Sequence, residues 1–329
     1  MEFNLETETN KVVYSFEKQG EQLSFNIINN KKPDIHPTLF KYYALNENSI
    51  DALLNNYVYA SHPNELNDVF DTFFNLIQFD NENWNYAFLT KILGYPIKKA
   101  EEYKKDKNYI AKNFREQLYQ QIGVLSLTTK DSDLLMWSYY TNHKGFCIEF
   151  DYNKFPFKTH GPFPINYQDK VKPISFTEKL YSSEMLATLV QSNIKYEKWE
   201  HEDEWRILIE SPCPMISPFY KTGHNRKFRY PISAIKSIAL GFRFFDFNNQ
   251  IDELITISNL EQNIIIKKNE KEKSLILDFI EEHNIPIKLV YENLNNENVF
   301  QIAYIICSLK KLNANTYQFL ANNNPFINH

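Results

Sequence analysis

The alternation of apolar and polar residues predicts a set of short strands along this chain. In residues 204–210, Trp205 and two isoleucines fall on one face, whereas Glu204, Arg206 and Leu208 fall on the other, which is the period of a β-strand. We expect the first face to be buried in a core and the second to face a cavity. Similar patterns predict further strands at 12–16, 23–28, 39–43, 57–60, 124–128, 146–150, 165–167, 232–241 and 287–291.

Apolar residues spaced three and four apart predict helices near 48–56, 131–141, 183–195 and 270–283. Asn48 suits the N-cap of the first helix, and Asp131 or Ser132 suits that of the second. The pattern from Phe70 to about Gln121 is mainly helical, and the tail from about Ile302 is also expected to be helical.

Strands and helices alternate irregularly, which favours an α+β fold over a regular βαβ array. We therefore expect mixed or antiparallel central sheets with flanking helices. The chain divides into an N-terminal extension (1–37), a single α+β domain (38–297) and a helical C-terminal extension (298–329).

The composition is that of a globular protein, with 43% hydrophobic and 23% charged residues. The net charge of −5 gives no general attraction to nucleic acid or to an anionic membrane. Cys147, Cys213 and Cys307 are far apart and show no metal-ligand spacing, which is typical of reduced packing residues. The polar, acidic N-terminus and the lack of a long apolar run predict a cytoplasmic protein that is not in the membrane.

Several common catalytic motifs are absent from the sequence. It has only 7 glycines and contains no GxGxxG or GxxxxGKS run, which argues against a conventional dinucleotide fold and a P-loop hydrolase. It also lacks HExxH and GxSxG.

The segment 131–150 concentrates Trp, Tyr and His beside apolar residues. Trp137, Tyr139 and Tyr140 could form an aromatic wall that stacks a planar ligand, with the tyrosine hydroxyls and His143 orienting that ligand. The alternative is that Trp137 belongs to the core and His143 stabilises the C-terminal end of the helix.

A second polar segment is KWEHEDEWR, residues 198–206. Glu204 and Arg206 share one face of a strand whose other face is apolar, which would hold Glu204 rigidly. They could instead form a partly exposed ion pair of at most about 1 kcal/mol. Crowding of the acidic groups in 200–204 would raise some carboxyl pKa values if they converge.

Two further segments carry candidate chemistry. Asn64, Asn67 and Asp68 in the segment 61–71 suit turns and helix caps. The basic segment 221–229 suits either a solvated loop or a phosphate contact.

The ordered motifs LFKYY, YASHPNELND, LSLTTKDSDLLMWSYYTNHKGFCIEF, KWEHEDEWRI and IKSIALG resemble the bacterial domain-of-unknown-function family numbered 2971, over roughly residues 38–292. The family name implies no activity. The order of elements is also similar to the ADP-ribosyltransferase fold, in which three strands carry the site. That resemblance puts Lys41 and Tyr42 in the first position, Ser126 in the second and the catalytic Glu204 in the third. Lys41 departs from the usual His or Arg, which puts recognition of the nicotinamide ribose in question.

The resemblance implies a toxin- or defence-type enzyme that transfers ADP-ribose from NAD to nucleic acid or protein, with an antitoxin or defence-system partner. Glu204 and Tyr42 would be catalytic. The residues expected to hold NAD are Lys41, Ser126, Trp137, Tyr139, His143 and Arg206, with the 221–229 segment as a further contact for the pyrophosphate. No metal is favoured in this hypothesis.

Two alternatives remain open at this point. One is a metal-dependent nuclease or phosphodiesterase in which carboxylates hold Mg²⁺. Its candidate ligands are Asp68, Asp71, Glu149, Glu202 and Glu204. The other is a non-catalytic sensor or assembly module in which the Trp/Tyr/Glu cluster is a structural network.

Overall fold

The computed structural model describes residues 2–6, 11–19, 22–31, 36–72, 76–78, 90, 96–105, 122–157, 159–175, 184–210, 226–245, 261–265, 270–292 and 302–321. The helices are α1 (Glu47–Leu54), α2 (Ile97–Lys105), α3 (Leu134–Thr141), α4 (Glu184–Asn193) and α5 (Lys271–Glu282). The strands up to the middle of the chain are β1 (Glu2–Glu6), β2 (Lys11–Gln19), β3 (Gln22–Asn29), β4 (Leu39–Tyr43), β5 (Tyr57–Tyr59), β6 (Ile77–Gln78), β7 (Ile122–Thr128), β8 (Phe146–Phe150), β9 (Thr159–Pro164) and β10 (Asn166–Gln168). The remaining strands are β11 (Ile174–Ser175), β12 (Ile194–Tyr196), β13 (Glu204–Glu210), β14 (Lys227–Arg229), β15 (Ile235–Leu240), β16 (Glu261–Ile265), β17 (Ile287–Glu292), β18 (Ile302–Lys311) and β19 (Thr316–Ala321).

A mixed sheet of ten strands forms the centre of the molecule, in the order β16-β19-β18-β17-β15-β8-β4-β7-β13-β9. Strands β15 and β17 pair in parallel, and the other neighbours in this sheet pair antiparallel. The predicted α+β class is confirmed.

The main hydrophobic core covers one face of this sheet. Trp205, Ile207 and Ile209 of β13 are buried there beside residues of α1 and α5 such as Leu53 and Ile280. The predicted apolar face of residues 204–210 is therefore confirmed. On the other face Glu204 reaches a cleft, but Arg206 and Leu208 are buried at 1% and 3% exposure and do not line it, so the prediction for these two residues was wrong.

The N-terminal strands β1, β2 and β3 form a separate antiparallel sheet, which confirms the strands predicted at 12–16 and 23–28. Tyr14 is fully buried, and its hydroxyl donates to Asn193 Oδ1 at 3.0 Å. Asn166 Nδ2 donates in turn to the Tyr14 hydroxyl at 3.4 Å. These hydrogen bonds attach the N-terminal sheet to strand β10 and to the end of helix α4.

The prediction of a helical C-terminal extension was wrong, because residues 302–321 form the hairpin β18–β19. Burial alternates along it: Ile305 and Cys307 are buried on β18, as are Tyr317 and Phe319 on β19. This period of two is that of a strand with one face on a core. β18 pairs with β17, so the hairpin extends the central sheet.

Several predicted boundaries shift by a few residues. The N-cap of α1 is Asn46 rather than Asn48, and that of α3 is Asp133 rather than Asp131 or Ser132. The strand predicted at 232–241 begins only at Ile235, after a 3-10 turn. Most of the helical pattern from Phe70 to Gln121 lies outside the described residues, which include β6 and α2 there. Among the described helices, none is both long and apolar enough to cross a membrane.

Candidate functional site

A cleft opens where the central sheet divides between β4 and β7. These two strands share one residue pair, Phe40 with Thr128, whereas β7 and β13 pair along seven residues. The cleft has a volume of about 230 Å³. Its walls come from β4, β7, α3 and the loop of residues 61–72 (the 61–72 loop), and Lys195, Glu202 and Glu204 form its charged end.

The Lys195 ammonium is the centre of a buried charge network. Its Nζ atom lies 2.6 Å from Glu202 Oε2, 3.0 Å from Glu204 Oε2 and 3.8 Å from Asp71 Oδ2. Its side chain is only 2% exposed. Strand β12 fixes the backbone at Lys195, because the strand is paired in parallel with β10, where Lys195 lies opposite Tyr167, and Ile194 before it is buried. Lys195 therefore joins Glu202 and Glu204, which follow it within 9 residues, to Asp71 from a distant part of the sequence.

Arg206 lies behind this network, and all of its hydrogen-bond donors are satisfied within the protein. Nε donates to Glu204 Oε1 at 2.7 Å, and Nη2 donates to Glu204 Oε2 at 3.0 Å and to Asp71 Oδ2. Nη1 donates to Asp71 Oδ1 at 2.8 Å and to the Ser192 carbonyl oxygen at 2.7 Å. All five N–H donors of the guanidinium thus have an acceptor.

The network keeps the Glu204 carboxyl ionised. Burial acts to raise its pKa, but the charges of Arg206 and Lys195 outweigh burial and hold the pKa well below its usual 4.5. For Lys195, burial acts to lower the pKa, but the combined charges of Glu204, Glu202 and Asp71 outweigh burial, so the pKa lies above 10.5. Opposite charges at these distances favour both ionised forms.

We expect the Glu204 pairing to make part of the stability sensitive to acid. Because the pKa of Glu204 is lower in the folded chain than in the unfolded chain, the contribution is present above the usual 4.5 and is lost as pH falls below it. Chemical denaturation between neutral pH and pH 3 should therefore show a steeper loss of unfolding free energy for wild type than for Glu204→Gln. Parallel curves for the two chains would contradict this assignment.

Tyr140 connects the charge network to the 61–72 loop. Its hydroxyl donates to Glu202 Oε1 at 2.5 Å and accepts from Asn67 Nδ2 at 3.0 Å. Burial and the nearby Glu202 charge raise the pKa of Tyr140, so the hydroxyl remains a donor. Asp71 attaches the same loop to Arg206. Two polar contacts therefore hold this wall of the cleft.

Lys41 occupies the opening between β4 and β7. Its Nζ atom donates to the Ser126 carbonyl oxygen at 3.2 Å and lies 5.6 Å from the centre of the Tyr43 ring. Burial lowers the pKa of Lys41 to about 8, although the charge of Glu204 acts in the opposite direction.

The structure brings together four of the eight residues expected in the site: Lys41, Tyr42, Ser126 and Glu204 all line the cleft. Tyr42 donates its hydroxyl to the Lys130 carbonyl oxygen at 3.1 Å. Strands β4, β7 and β13, which carry these residues, are consecutive neighbours in the sheet.

The other four expected site residues do not line the cleft. Arg206 is buried behind it, as described above. Trp137 is completely buried, packs edge-on against Tyr42 and donates Nε1 to the Asp131 carbonyl oxygen at 2.8 Å. Tyr139 is 63% exposed beside His201, and His143 lies in the turn after α3 with φ at 59°. Of the expected aromatic wall, Tyr140 lines the cleft, whereas Trp137 and Tyr139 do not.

Of the five carboxylates considered as metal ligands, Asp71, Glu202 and Glu204 converge, and the Lys195 ammonium occupies the space between them. Asp68 instead accepts from the Phe70 backbone N–H at 2.9 Å, and Glu149 pairs with Lys288 at 3.1 Å. In the described part of the chain, no group of three or more His, Cys, Asp or Glu side chains is arranged to hold a metal ion.

Sequence reasoning missed Lys195 and treated Tyr140 only as one aromatic among several. A lysine next to Ile194 and shortly before the acidic residues 200–204 was a usable signal, because a buried ammonium needs anionic partners. Glu202 and Glu204 lie within 9 residues of Lys195, but its contact with Asp71 joins distant parts of the sequence and no local pattern contains it.

The model of a protein family described as "Protein of unknown function (DUF2971)" matches residues 136–207. This segment runs from α3 through most of β13 and includes Tyr140, Lys195, Glu202, Glu204 and Arg206. The predicted resemblance to that family is confirmed over these residues, which are fewer than the predicted 38–292. No curated protein and no solved structure gives a significant match to the chain.

Proposed function

We propose that the cleft is the active site of a toxin- or defence-type enzyme that acts on NAD and transfers ADP-ribose to nucleic acid or protein. The observation that supports this proposal is the convergence of Lys41, Tyr42, Ser126 and Glu204 from three adjacent strands on one cleft. These are the positions that the ADP-ribosyltransferase resemblance assigns to substrate binding and catalysis.

In the proposed reaction the bond between nicotinamide nitrogen and ribose C1′ breaks, and its electron pair leaves with nicotinamide. The ribose then carries oxocarbenium charge, which the ionised Glu204 carboxylate would stabilise. The acceptor forms the new bond to C1′ and loses a proton. Lys41 and Tyr42 would bind the dinucleotide. Arg206 has no free donor for a pyrophosphate, so we assign it the positioning of Glu204.

Incubation of the purified chain with NAD, mixed nucleic acid and cell lysate should release nicotinamide and label an acceptor. We expect Glu204→Gln to lower the rate by about a hundredfold or more, because it removes the charge that faces the developing cation. Circular dichroism and a thermal melt must show that the variant is folded, since Glu204 is part of a buried network. Tyr42→Phe, which preserves the ring packing, provides a second cleft variant.

Glu149→Gln is the matched control for this assay. Glu149 also pairs with a partly buried lysine, Lys288, but it does not line the cleft. This variant should retain the wild-type rate per folded molecule. The proposal fails if the wild-type chain yields neither nicotinamide nor an adduct, or if Glu204→Gln turns over NAD normally.

One observation favours a second function, that of a non-catalytic sensor or assembly module. The charge network is internally satisfied, since Arg206 uses every donor and Lys195 has three carboxylates around it. Satisfied buried networks can be retained because they specify one packing arrangement. A folded wild-type chain without NAD turnover would favour this role.

A further inference from the structure

Lys41 and Lys195 both line the cleft, and their surroundings differ. Lys195 has three carboxylates within 4.0 Å, and it donates hydrogen bonds to two of them, Glu202 and Glu204. Lys41 has a single hydrogen-bond acceptor, the Ser126 carbonyl oxygen, and no carboxylate within 4.0 Å in the described part of the chain. The Lys41 amine is therefore accessible from the cleft without a counter-ion in contact.

The position of Lys41 in the fold explains this difference. β4 and β7 separate after the Phe40–Thr128 pair, so the side chain enters the gap between the two strands. The neighbouring carboxylates, Glu202 and Glu204, are already held by Lys195. Glu204 attracts Lys41 from a distance but forms no direct ion pair with it.

These surroundings make the nitrogen a nucleophile near neutral pH. Burial lowers the pKa of Lys41 to about 8, so about half of the amine is neutral at pH 8. An ordinary lysine of pKa ~10.4 would be less than about 1% neutral at that pH. Neutral, partly buried lysines of this kind are the ones that form Schiff bases in enzymes.

We propose that Lys41 is a reactive amine that captures the carbonyl carbon of a small hydroxylated aldehyde or ketone as an imine. The nitrogen forms the bond to the carbonyl carbon, the carbon–oxygen double bond breaks, and the oxygen leaves as water with the two protons of the amine. The cleft of about 230 Å³ admits a compound of this size. Ser61 and Ser126 line the same cleft, and serine hydroxyl groups suit a hydroxylated ligand. This inference does not depend on the proposed reaction with NAD.

Reductive trapping tests the inference on the intact wild-type chain. The protein is incubated with glyceraldehyde and sodium cyanoborohydride, digested and analysed by mass spectrometry. We expect the Lys41 peptide to be alkylated about tenfold or more faster at pH 8 than the peptide of the exposed Lys236, with a midpoint of the pH–rate profile near 8. The same reaction in concentrated urea provides the reference, because both lysines should then react alike.

Two further measurements make the result decisive. Lys41→Arg retains a positive charge but cannot form an imine, so the fast phase of alkylation should disappear in this variant. Wild-type labelling of Lys41 no faster than that of Lys236 in the folded chain would overturn the proposal. A pH–rate midpoint that does not change between the folded chain and the chain in urea would overturn it as well.

Discussion

Replacement of Arg206 with methionine should lower the free energy of unfolding by about 3–5 kcal/mol. The side chains of Asp71 and Glu204 are only 1% and 5% exposed, and each carboxylate accepts two hydrogen bonds from this guanidinium. Methionine fills much of the space but leaves both carboxylates with Lys195 as their remaining cation. The cost is mainly that of charge left buried without its partner. Urea denaturation of wild type and variant measures the difference.

The exposed ion pair Lys227–Asp51 offers a control for the loss of charge itself. Its side chains are 50% and 45% exposed, and Asp51 also accepts from the Tyr57 hydroxyl at 2.6 Å. Lys227→Met should therefore leave the melting temperature nearly unchanged. If Arg206→Met were equally mild, the network would contribute little to stability and the burial of Arg206 would need another explanation.

The double variant Arg206→Met with Asp71→Asn tests the coupling directly. Once Asp71 is neutral, the loss of Arg206 should lower the free energy of unfolding by less than it does in wild type. Only Glu204 then remains as a buried carboxylate that has lost its guanidinium partner. A double-mutant cycle gives this interaction energy. Purely additive effects would mean that the two side chains do not stabilise each other.

The local part of the site could be predicted from the sequence. Alternation in 204–210 put Glu204 and Arg206 on one face of a strand, and the structure places both there. Asp71 and Lys195 could not be assigned as their partners, because Asp71 is 135 residues from Arg206 and Lys195 precedes Glu204 across a turn. The burial of Arg206 depends on those partners, so the structure has a buried network in place of the partly exposed ion pair that the sequence allowed as an alternative.

Trp137 shows a similar limit in the fold prediction. A helix at 131–141 was predicted, but the face that it presents to the sheet depends on tertiary packing. In the structure Trp137 packs with Tyr42 and Cys147 in a second core cluster, whereas Tyr139 faces outward. An aromatic segment with little helical amphipathicity does not reveal which of its rings is buried.

The helical tail was predicted wrongly because a short apolar run fits a buried helix as well as a strand. Residues 302–309 could be interpreted either way, and the strand partner that decides the question is β17. Tyr304 adds a polar contact to this pairing, since its hydroxyl donates to the Asp131 carbonyl oxygen near the start of α3. The tail thus completes the sheet.

Deletion of residues 302–329 should prevent stable folding of the remaining chain. The hairpin β18–β19 contributes Ile305, Cys307, Tyr317 and Phe319 to the main core. At roughly 2 kcal/mol for each large apolar side chain, this loss is comparable with the about 5–15 kcal/mol that stabilises a whole protein. It also leaves β17 as an exposed edge strand, which favours aggregation. Circular dichroism, a thermal melt and size-exclusion chromatography of the truncated chain measure the effect.

Two variants of the full-length chain separate the packing of the hairpin from the mere presence of the tail. Phe319→Ala should lower the free energy of unfolding by about 3–5 kcal/mol, because Phe319 is 3% exposed and packs edge-on against Phe245. Asn313→Ala, in the exposed turn between the strands, should cause little change. A truncated chain that remains monomeric and melts cooperatively at the wild-type temperature would show that the tail is not required for a stable fold. In that case the central sheet would have to be stable with β17 as its edge strand.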